Sequence, residues 1–282
     1  MPELTQVDTS DEQQSWCVAG EPDSVEARFG LRGCGPAPAG NRCTLVAPAW
    51  TYDPAGRVRV GALMVVADHI LGELSYRRRA TGNWSLTTEL TLDMLATTDR
   101  CSTLDASATE ITAEPGANFA RCELTDSSNR VVAVGTTRTV SVPGTETNPD
   151  VRPKVHTPEH LPESTIEDVL GLTYPLGGHG GEVCLTEPGQ WANAFGIMHG
   201  GVAACVGELA ASRLFSAHNP RLSTAQMHTC FLRPAPPGTP YVATARAYHI
   251  GRGFAVAEVL GHSGDRLCTV STVTARYAGP ET

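Results

Sequence analysis

Two stretches of this chain are apolar around nearly the whole circumference of a helix. Residues 202–214 are mostly Ala, Val, Leu and Cys, and Gly61-Ala-Leu-Met-Val-Val-Ala67 has the same character. Helices of that kind are enclosed by protein rather than half-exposed. Each is followed by runs rich in Thr, Val, Leu and Ala that read as strands: residues 84–92 and 131–140 after the first, residues 222–232 and 267–275 after the second. The pattern predicts, twice over, one buried helix followed by several antiparallel strands, a duplicated α+β unit.

The repeat is carried by individual residues as well. Cys43 precedes Trp50 as Cys184 precedes Trp191, Gly61 and Gly201 open the two helices, and an acid follows each glycine by seven positions, Asp68 and Glu208. The offsets between the copies are 140 to 141 throughout. Residues 141–164 are rich in proline and polar side chains and read as a linker. The expected organisation is an N-terminal unit over 1–140, a linker over 141–164 and a C-terminal unit over 165–282. Trp50 and Trp191 are expected in the core.

Composition narrows the class of function. Hydrophobic residues make up 41% and charged residues 18%, a globular balance. A net charge of −9 argues against nucleic acid as a partner, because phosphate binding needs a basic surface. The N-terminal MPELTQVDTSDEQQ is polar and acidic, unlike a signal peptide, and no apolar run reaches membrane-spanning length. Nine cysteines occur without a C-x-x-C pair or a His–Cys cluster at metal spacing, so they read as reduced core residues of a cytoplasmic protein with no metal or other cofactor.

The candidate chemistry lies at the start of the second helix. His199-Gly200-Gly201 opens it, and Glu208 is a carboxylate within its apolar length. A buried acid costs free energy unless paired or used. Glycines at a helix N-terminus let another group approach the free N–H donors, where the helix dipole favours negative charge. An oxyanion site with an acid near it is the chemistry this arrangement suggests.

Asn193, His199, Gly200, Gly201 and Glu208, at this spacing, resemble the motif of hotdog-fold acyl-CoA thioesterases of the phenylacetate-pathway and 4-hydroxybenzoyl-CoA type. The resemblance covers roughly residues 40–140 and 170–278. It implies a double hotdog, in which two antiparallel sheets each wrap a central helix. By the family pattern Asn193 and His199 hold the thioester and the attacking water, the Gly200 N–H polarises the carbonyl, Gly201 is expected to help bind the substrate, and a carboxylate at Asp68 or Glu208 is base or nucleophile. Ser85 stands where relatives often carry a hydroxyl that orients water or the acid, with Thr87 and Thr88 as local alternatives. An acyl-CoA substrate and a homo-oligomer of double-hotdog chains are implied as well. The first copy departs from the pattern: Arg59-Val60-Gly61 replaces His-Gly-Gly and Asp53 replaces Asn193, which implies a degraded second site.

Helix geometry assigns the acids. Seven helical residues rise about 10 Å, too far for an acid to reach a carbonyl bound at its own helix start, whereas reacting groups must approach within about 3–3.5 Å. If the units pair antiparallel about a pseudo-twofold axis, each helix start meets the second turn of the other helix. The loop of Asn193, His199 and Gly200 then works with Asp68, and Glu208 faces Asp53, Arg59 and Val60. Arg59 is expected to pair with Glu208. Arg252, in Gly251-Arg-Gly253, is either a coenzyme A phosphate ligand or part of a plain hairpin turn. Arg77, Arg78 and Arg79 are expected to form a solvated helix end. The rival from another class is a non-catalytic acyl-CoA or acyl-carrier binding protein with decayed sites. Hydratase and dehydratase readings lack their motifs, an Asp-x-x-x-x-His helix or a His–Phe-Pro loop.

Overall fold

The computed structural model describes residues 23–38, 40–98, 103–114, 116–144, 164–175 and 180–277. The polar N-terminal segment, Cys17 and Cys101 lie outside the described residues, as does 145–163 of the expected linker. The first three linker residues extend a strand instead, since β6 runs from Val131 to Pro143.

The N-terminal unit contains α1 (Val25–Arg28), β1 (Leu31–Ala37), β2 (Gly40–Val46), α2 (Val60–Arg78), β3 (Asn83–Met94), β4 (Thr103–Glu114), β5 (Ala117–Thr125) and β6. The C-terminal unit follows with α3 (Ile166–Leu170), β7 (Leu172–Thr173), β8 (Glu182–Leu185), α4 (Gly200–His218), β9 (Leu222–Phe231), β10 (Tyr241–Ile250), β11 (Phe254–Ser263) and β12 (Arg266–Tyr277). Among the described residues, the strands all join one twelve-stranded antiparallel sheet in the order β1-β2-β4-β5-β6-β3-β9-β12-β11-β10-β8-β7. Read from its centre outward, the order of one half repeats in the other. The fold is a double hotdog, and the two sheets fuse through β3 and β9, from Glu89 opposite Cys230 to Asp93 opposite Gln226.

Strand alternation sets which face meets the helix. In β11, Ala255, Ala257, Val259, Gly261 and Ser263 are buried while the intervening residues are not, the pattern of a sheet with one covered face. The free edges are poor templates for further pairing: β7 has two residues, and β1 carries Pro36 and an irregularity between Arg32 and Gly35.

The apolar helices α2 and α4 pack against each other inside this curve, each with its start against the second turn of the other. Contact with the sheet on one side and the sister helix on the other accounts for their all-round apolar character. A Cβ added at Gly201 would lie 2.6 Å from Val65 Cα, and one added at Gly61 would lie 2.8 Å from Cys205 Sγ. The two glycines are therefore needed for helix–helix approach. Among the described residues, no helix is long and apolar enough to cross a membrane.

The segment before β1 ties the units together. Phe29, which ends α1, packs edge-on against both Trp50 and Trp191, with centroids 5.0 Å and 5.8 Å apart. Arg28 stacks over Trp191 and donates to the Gln190 carbonyl at 2.7 Å. Both tryptophans are buried, as expected. The basic helix end is engaged more than expected: Arg78 pairs with Glu110 at 2.6 Å, Arg79 stacks on Tyr76, and Arg77 donates to Asn41.

Candidate active site

The loop before α4 is a closed turn. Asn193 N–H donates to the Ile197 carbonyl at 2.8 Å, and Gly196 N–H donates to the Asn193 carbonyl at 2.9 Å. Gly196 takes φ 71°, a left-handed conformation that glycine adopts without strain. Asn193 Oδ1 accepts the Phe195 N–H at 2.9 Å, and the residue lines the cavity. His199 is the N-cap of α4, with its Nδ1 accepting the Gly201 N–H at 3.1 Å. Gly200 is the first helical residue, so its N–H has no acceptor within the helix.

The acid facing this helix start comes from the other unit. Asp68, buried on α2, accepts the Gly201 N–H on Oδ2 at 2.6 Å, and the same oxygen lies 3.3 Å from His199 Nδ1. A Cβ at Gly200 would meet that oxygen at 2.9 Å. Gly201 therefore orients the acid and has no N–H left for substrate, contrary to its expected binding role. Asp68 Oδ1 accepts a hydrogen bond from Thr87 Oγ1 at 3.0 Å. Ser85 lines the same cavity, but the hydroxyl on the carboxylate belongs to Thr87. Thr88 donates elsewhere, to the Arg138 carbonyl.

The cavity, about 310 Å³, takes walls from both units. Asp68, Asn193, His199 and Gly200 all reach it, and Leu86, Val140, Ile197, Met198 and Phe231 make much of its lining apolar. Phe195 crosses from the C-terminal loop to stack on Trp84, with centroids 4.9 Å apart. Glu73 also lines it, its Oε1 buried without a partner, and burial pushes its carboxyl up to about 7.

Sequence reasoning missed Glu26. This buried acid of α1 places Oε1 3.4 Å from His199 Nε2 and 3.3 Å from His69 Nδ1. Burial alone would raise its pKa, but hydrogen bonds and charge from the two histidines outweigh that and hold it well below the usual carboxylate range. His199 is raised: burial opposes its charge, and Glu26 and Asp68 more than compensate. His69 is raised as well, against burial, by its bonds to Cys34 and Glu26. The signal was present in a second repeat, Val25-Glu26-x-x-x-Gly30-Leu31 against Ile166-Glu167-x-x-x-Gly171-Leu172, again offset by 141.

The pseudo-symmetric position keeps the backbone and exchanges the side chains. Asp53 N–H donates to the Arg57 carbonyl at 2.7 Å, Gly56 N–H donates to the Asp53 carbonyl at 2.9 Å, and Gly56 takes φ 79°. The side chain of Asp53 is held by Arg57 at 2.9 Å. Val60 is the first residue of α2, in the place of Gly200. Glu208 faces this start, Oε2 lying 3.2 Å from where a Gly61 Cβ would be. Its Oε1 accepts from Ser212 at 2.6 Å and from Thr224 at 2.5 Å. The expected Arg59–Glu208 pair does not form. Arg59 pairs with Glu167 on α3 at 3.3 Å, because Glu167 occupies the position that Glu26 takes beside His199.

Arg252 is not brought to the site. Its carbonyl accepts from Asn219, the C-cap of α4, and the 19-residue helix separates it from His199 by about 28 Å. It belongs to the β10–β11 hairpin turn. All seven described cysteines are free thiols, and Cys43, Cys122, Cys205 and Cys268 are buried.

The model of the Thioesterase superfamily matches residues 195–270, from within the loop through α4 to β11 and into the first residues of β12. No curated protein sequence matches the chain. Solved structures share the architecture over most of its length. A candidate thioesterase from Novosphingobium aromaticivorans has a TM-score of 0.62 at 18% identity, covering 89% of this chain and 99% of that one. A candidate oleoyl thioesterase from Lactobacillus plantarum gives 0.62 at 11% identity, over 85% and 96%. A conserved hotdog-fold protein of unknown function from Alicyclobacillus acidocaldarius gives 0.59 at 13% identity, over 92% and 98%. At these identities the likeness establishes the fold.

Proposed function

We propose that this double hotdog, of the thioesterase superfamily through its C-terminal unit, hydrolyses acyl-CoA thioesters at one composite site, its helix start from one unit and its acid from the other. The observation that carries the reading is Asp68, fixed on the N-terminal unit yet hydrogen-bonded at 2.6 Å to the start of α4. Beside it Gly200, whose N–H has no acceptor within the helix, lines a cavity with largely apolar walls. The division into two units joined by the segment between β6 and α3 belongs to the same reading, with Asn193, His199, Gly200 and Asp68 as the functional set.

In this mechanism the acyl chain lies along the apolar walls and the thioester carbonyl points at the Gly200 N–H. A backbone donor at a helix N-terminus stabilises the developing oxyanion by about 3–4 kcal/mol. Asn193 Nδ2 and His199 border the thioester. Asp68 takes a proton from water as the water oxygen bonds to the carbonyl carbon. When the C–S bond breaks, that proton passes to the leaving sulfur, so free acid and thiol result. General-base action suits Asp68 better than direct attack, because donors already hold both of its oxygens.

Glu208 serves no second site in this account. Its partner start carries Val60 and an Arg59 engaged by Glu167, and its own carboxylate is satisfied by two hydroxyls. The chain works in the cytoplasm as a homo-oligomer and without a cofactor.

The test is a panel of short, long and aromatic acyl-CoA esters assayed for thiol release. Turnover well above the uncatalysed rate with at least one ester supports the reading. Binding of the esters without turnover of any would replace it with an acyl-CoA or acyl-carrier binding protein.

A further inference from the structure

The His199 imidazole lies between two carboxylates. Asp68 Oδ2 is 3.3 Å from Nδ1 and Glu26 Oε1 is 3.4 Å from Nε2. The Gly201 N–H shows which nitrogen carries the proton. It points at Nδ1 from 3.1 Å, so Nδ1 of the neutral ring is an acceptor and the hydrogen sits on Nε2, facing Glu26. We propose that Glu26 is a positioning residue for the reaction: it holds His199 as the Nε2–H tautomer and thereby keeps the Gly201 N–H shared between Nδ1 and Asp68. The proposal rests on the hydrolase reading for its effect on turnover, and on geometry alone for its effect on His199.

Three observations favour a built arrangement over an accidental contact. Glu26 is 5% exposed and His199 5%, and a carboxylate is not left so deep without a use or a partner. Glu26 binds a second imidazole, His69, next to Asp68 in sequence, so its orientation is fixed from two sides. The same relation occurs at the pseudo-symmetric position, where Glu167 of α3 grips Arg59, the N-cap of α2. An acid from the short first helix of one unit therefore reaches the N-cap residue of the other unit's long helix in both copies. The cation it holds is an imidazole only at the site with the open Gly200 N–H.

The consequence for chemistry follows from the tautomer. With the proton on Nδ1, the ring would face the Gly201 N–H donor to donor, and Gly201 would shift off Asp68. With both nitrogens protonated, Nδ1–H competes with Gly201 for Asp68 Oδ2. Either change unsettles the base. The titratable and charged groups that line the cavity beside the pair are Asp68, His69, Glu73 and Tyr76 on α2, Tyr241 on β10, and Arg233 and Cys268 across it, with Cys34 on β1 bonded to His69. The acid that touches Nε2 is Glu26.

The experiment compares the full chain with Glu26→Gln, Glu26→Asp and Glu167→Gln. Long-range 15N–1H spectra of histidine-labelled protein report the tautomer and titration of His199, assigned by its loss in His199→Gln. Wild type should show Nε2–H above the titration. Glu26→Gln should mix the tautomers and move the His199 midpoint to lower pH, and Glu26→Asp, if Gln prevents folding, should show a smaller shift in the same direction. With a substrate in hand, Glu26→Gln should lower kcat on the order of 10- to 100-fold with little change in KM and displace the acid limb of the pH profile downward. Glu167→Gln should leave both readouts as in wild type. An unchanged His199 tautomer and midpoint in Glu26→Gln overturns the proposal, and so does an altered spectrum with kcat within about twofold of wild type. The spectra need no substrate, so absence of turnover by wild type would count against the hydrolase reading without touching this test.

Discussion

Gly201 donates its backbone N–H to the carboxylate of Asp68 at 2.6 Å, and the two residues belong to different halves of the chain. That bond is made at the first turn of α4, where backbone donors have no helical acceptor. It turns the pairing of two buried helices into a device that places an acid beside an open N–H. The pairing itself requires glycine, since a side chain at Gly201 would collide with the backbone of Val65.

The first prediction follows from that collision. Gly201→Ala should destabilise the protein by about 1–3 kcal/mol through forced separation of α2 and α4, and it should lower kcat by moving Asp68 away from Gly200. Urea unfolding with a parallel activity assay checks both. Wild-type stability would mean that the helices can part without cost.

A second prediction separates two hydroxyls on one strand face. Thr87→Val removes the hydrogen bond to Asp68 Oδ1 and should reduce kcat by about tenfold, close to the loss of a hydrogen bond to a charged group. Ser85→Ala should stay within about twofold, since no bond joins Ser85 to the acid. Steady-state kinetics of the two variants decides it, and a larger effect from Ser85→Ala would transfer the role.

Much of this fold was legible because its signals are long and periodic. Enclosed helices of 19 residues and strands of about ten leave strong patterns, and the repeat at 140 to 141 reports the pseudo-twofold directly. The crossing of acids between units also followed from helix rise. Glu26 was hidden because α1 has four residues, too few for a periodic face, and its burial depends on Phe29 docking between two distant tryptophans. Ser85 and Thr87 share a strand face by alternation. Which of them meets Asp68 depends on how α2 packs across the strand, and no local pattern announces it. Arg59 pairs with Glu167 rather than with Glu208 because a long guanidinium has several acids within reach, and only the Ile166-Glu167 repeat of Val25-Glu26 singles Glu167 out.

The third prediction concerns pH and stability. The pKa of Glu26 is lowered in the fold, so its contribution is present above the ordinary carboxylate value of 4.5 and is lost as pH falls through the lower folded value. His199 and His69 are raised, so their contributions are complete below the ordinary imidazole value of 6.5 and are lost as pH rises through the folded values. Both kinds of stabilisation coexist between those two ordinary values. Glu26→Gln should therefore cost most near pH 5.5, about 1.5–3 kcal/mol for a buried bond to a charged group, and less as the medium becomes alkaline. Thermal unfolding of both proteins from pH 4.5 to 9 tests this, and a gap that widens toward alkaline pH would refute it.

The composite site is tested most directly by kcat for Asp68→Asn and Glu208→Gln, measured side by side with His199→Ala on the best thioester of the panel. Asp68→Asn removes the base while nearly keeping its shape, and should lower kcat by about three powers of ten or more. His199→Ala should fall in the same direction and combine with Asp68→Asn less than additively, as residues of one site do. Glu208→Gln should keep kcat within about threefold, because the helix start it faces presents Val60 and an Arg59 held by Glu167. An inactive Glu208→Gln beside a fully active Asp68→Asn would contradict the account, because each acid would then have to serve the helix start of its own unit.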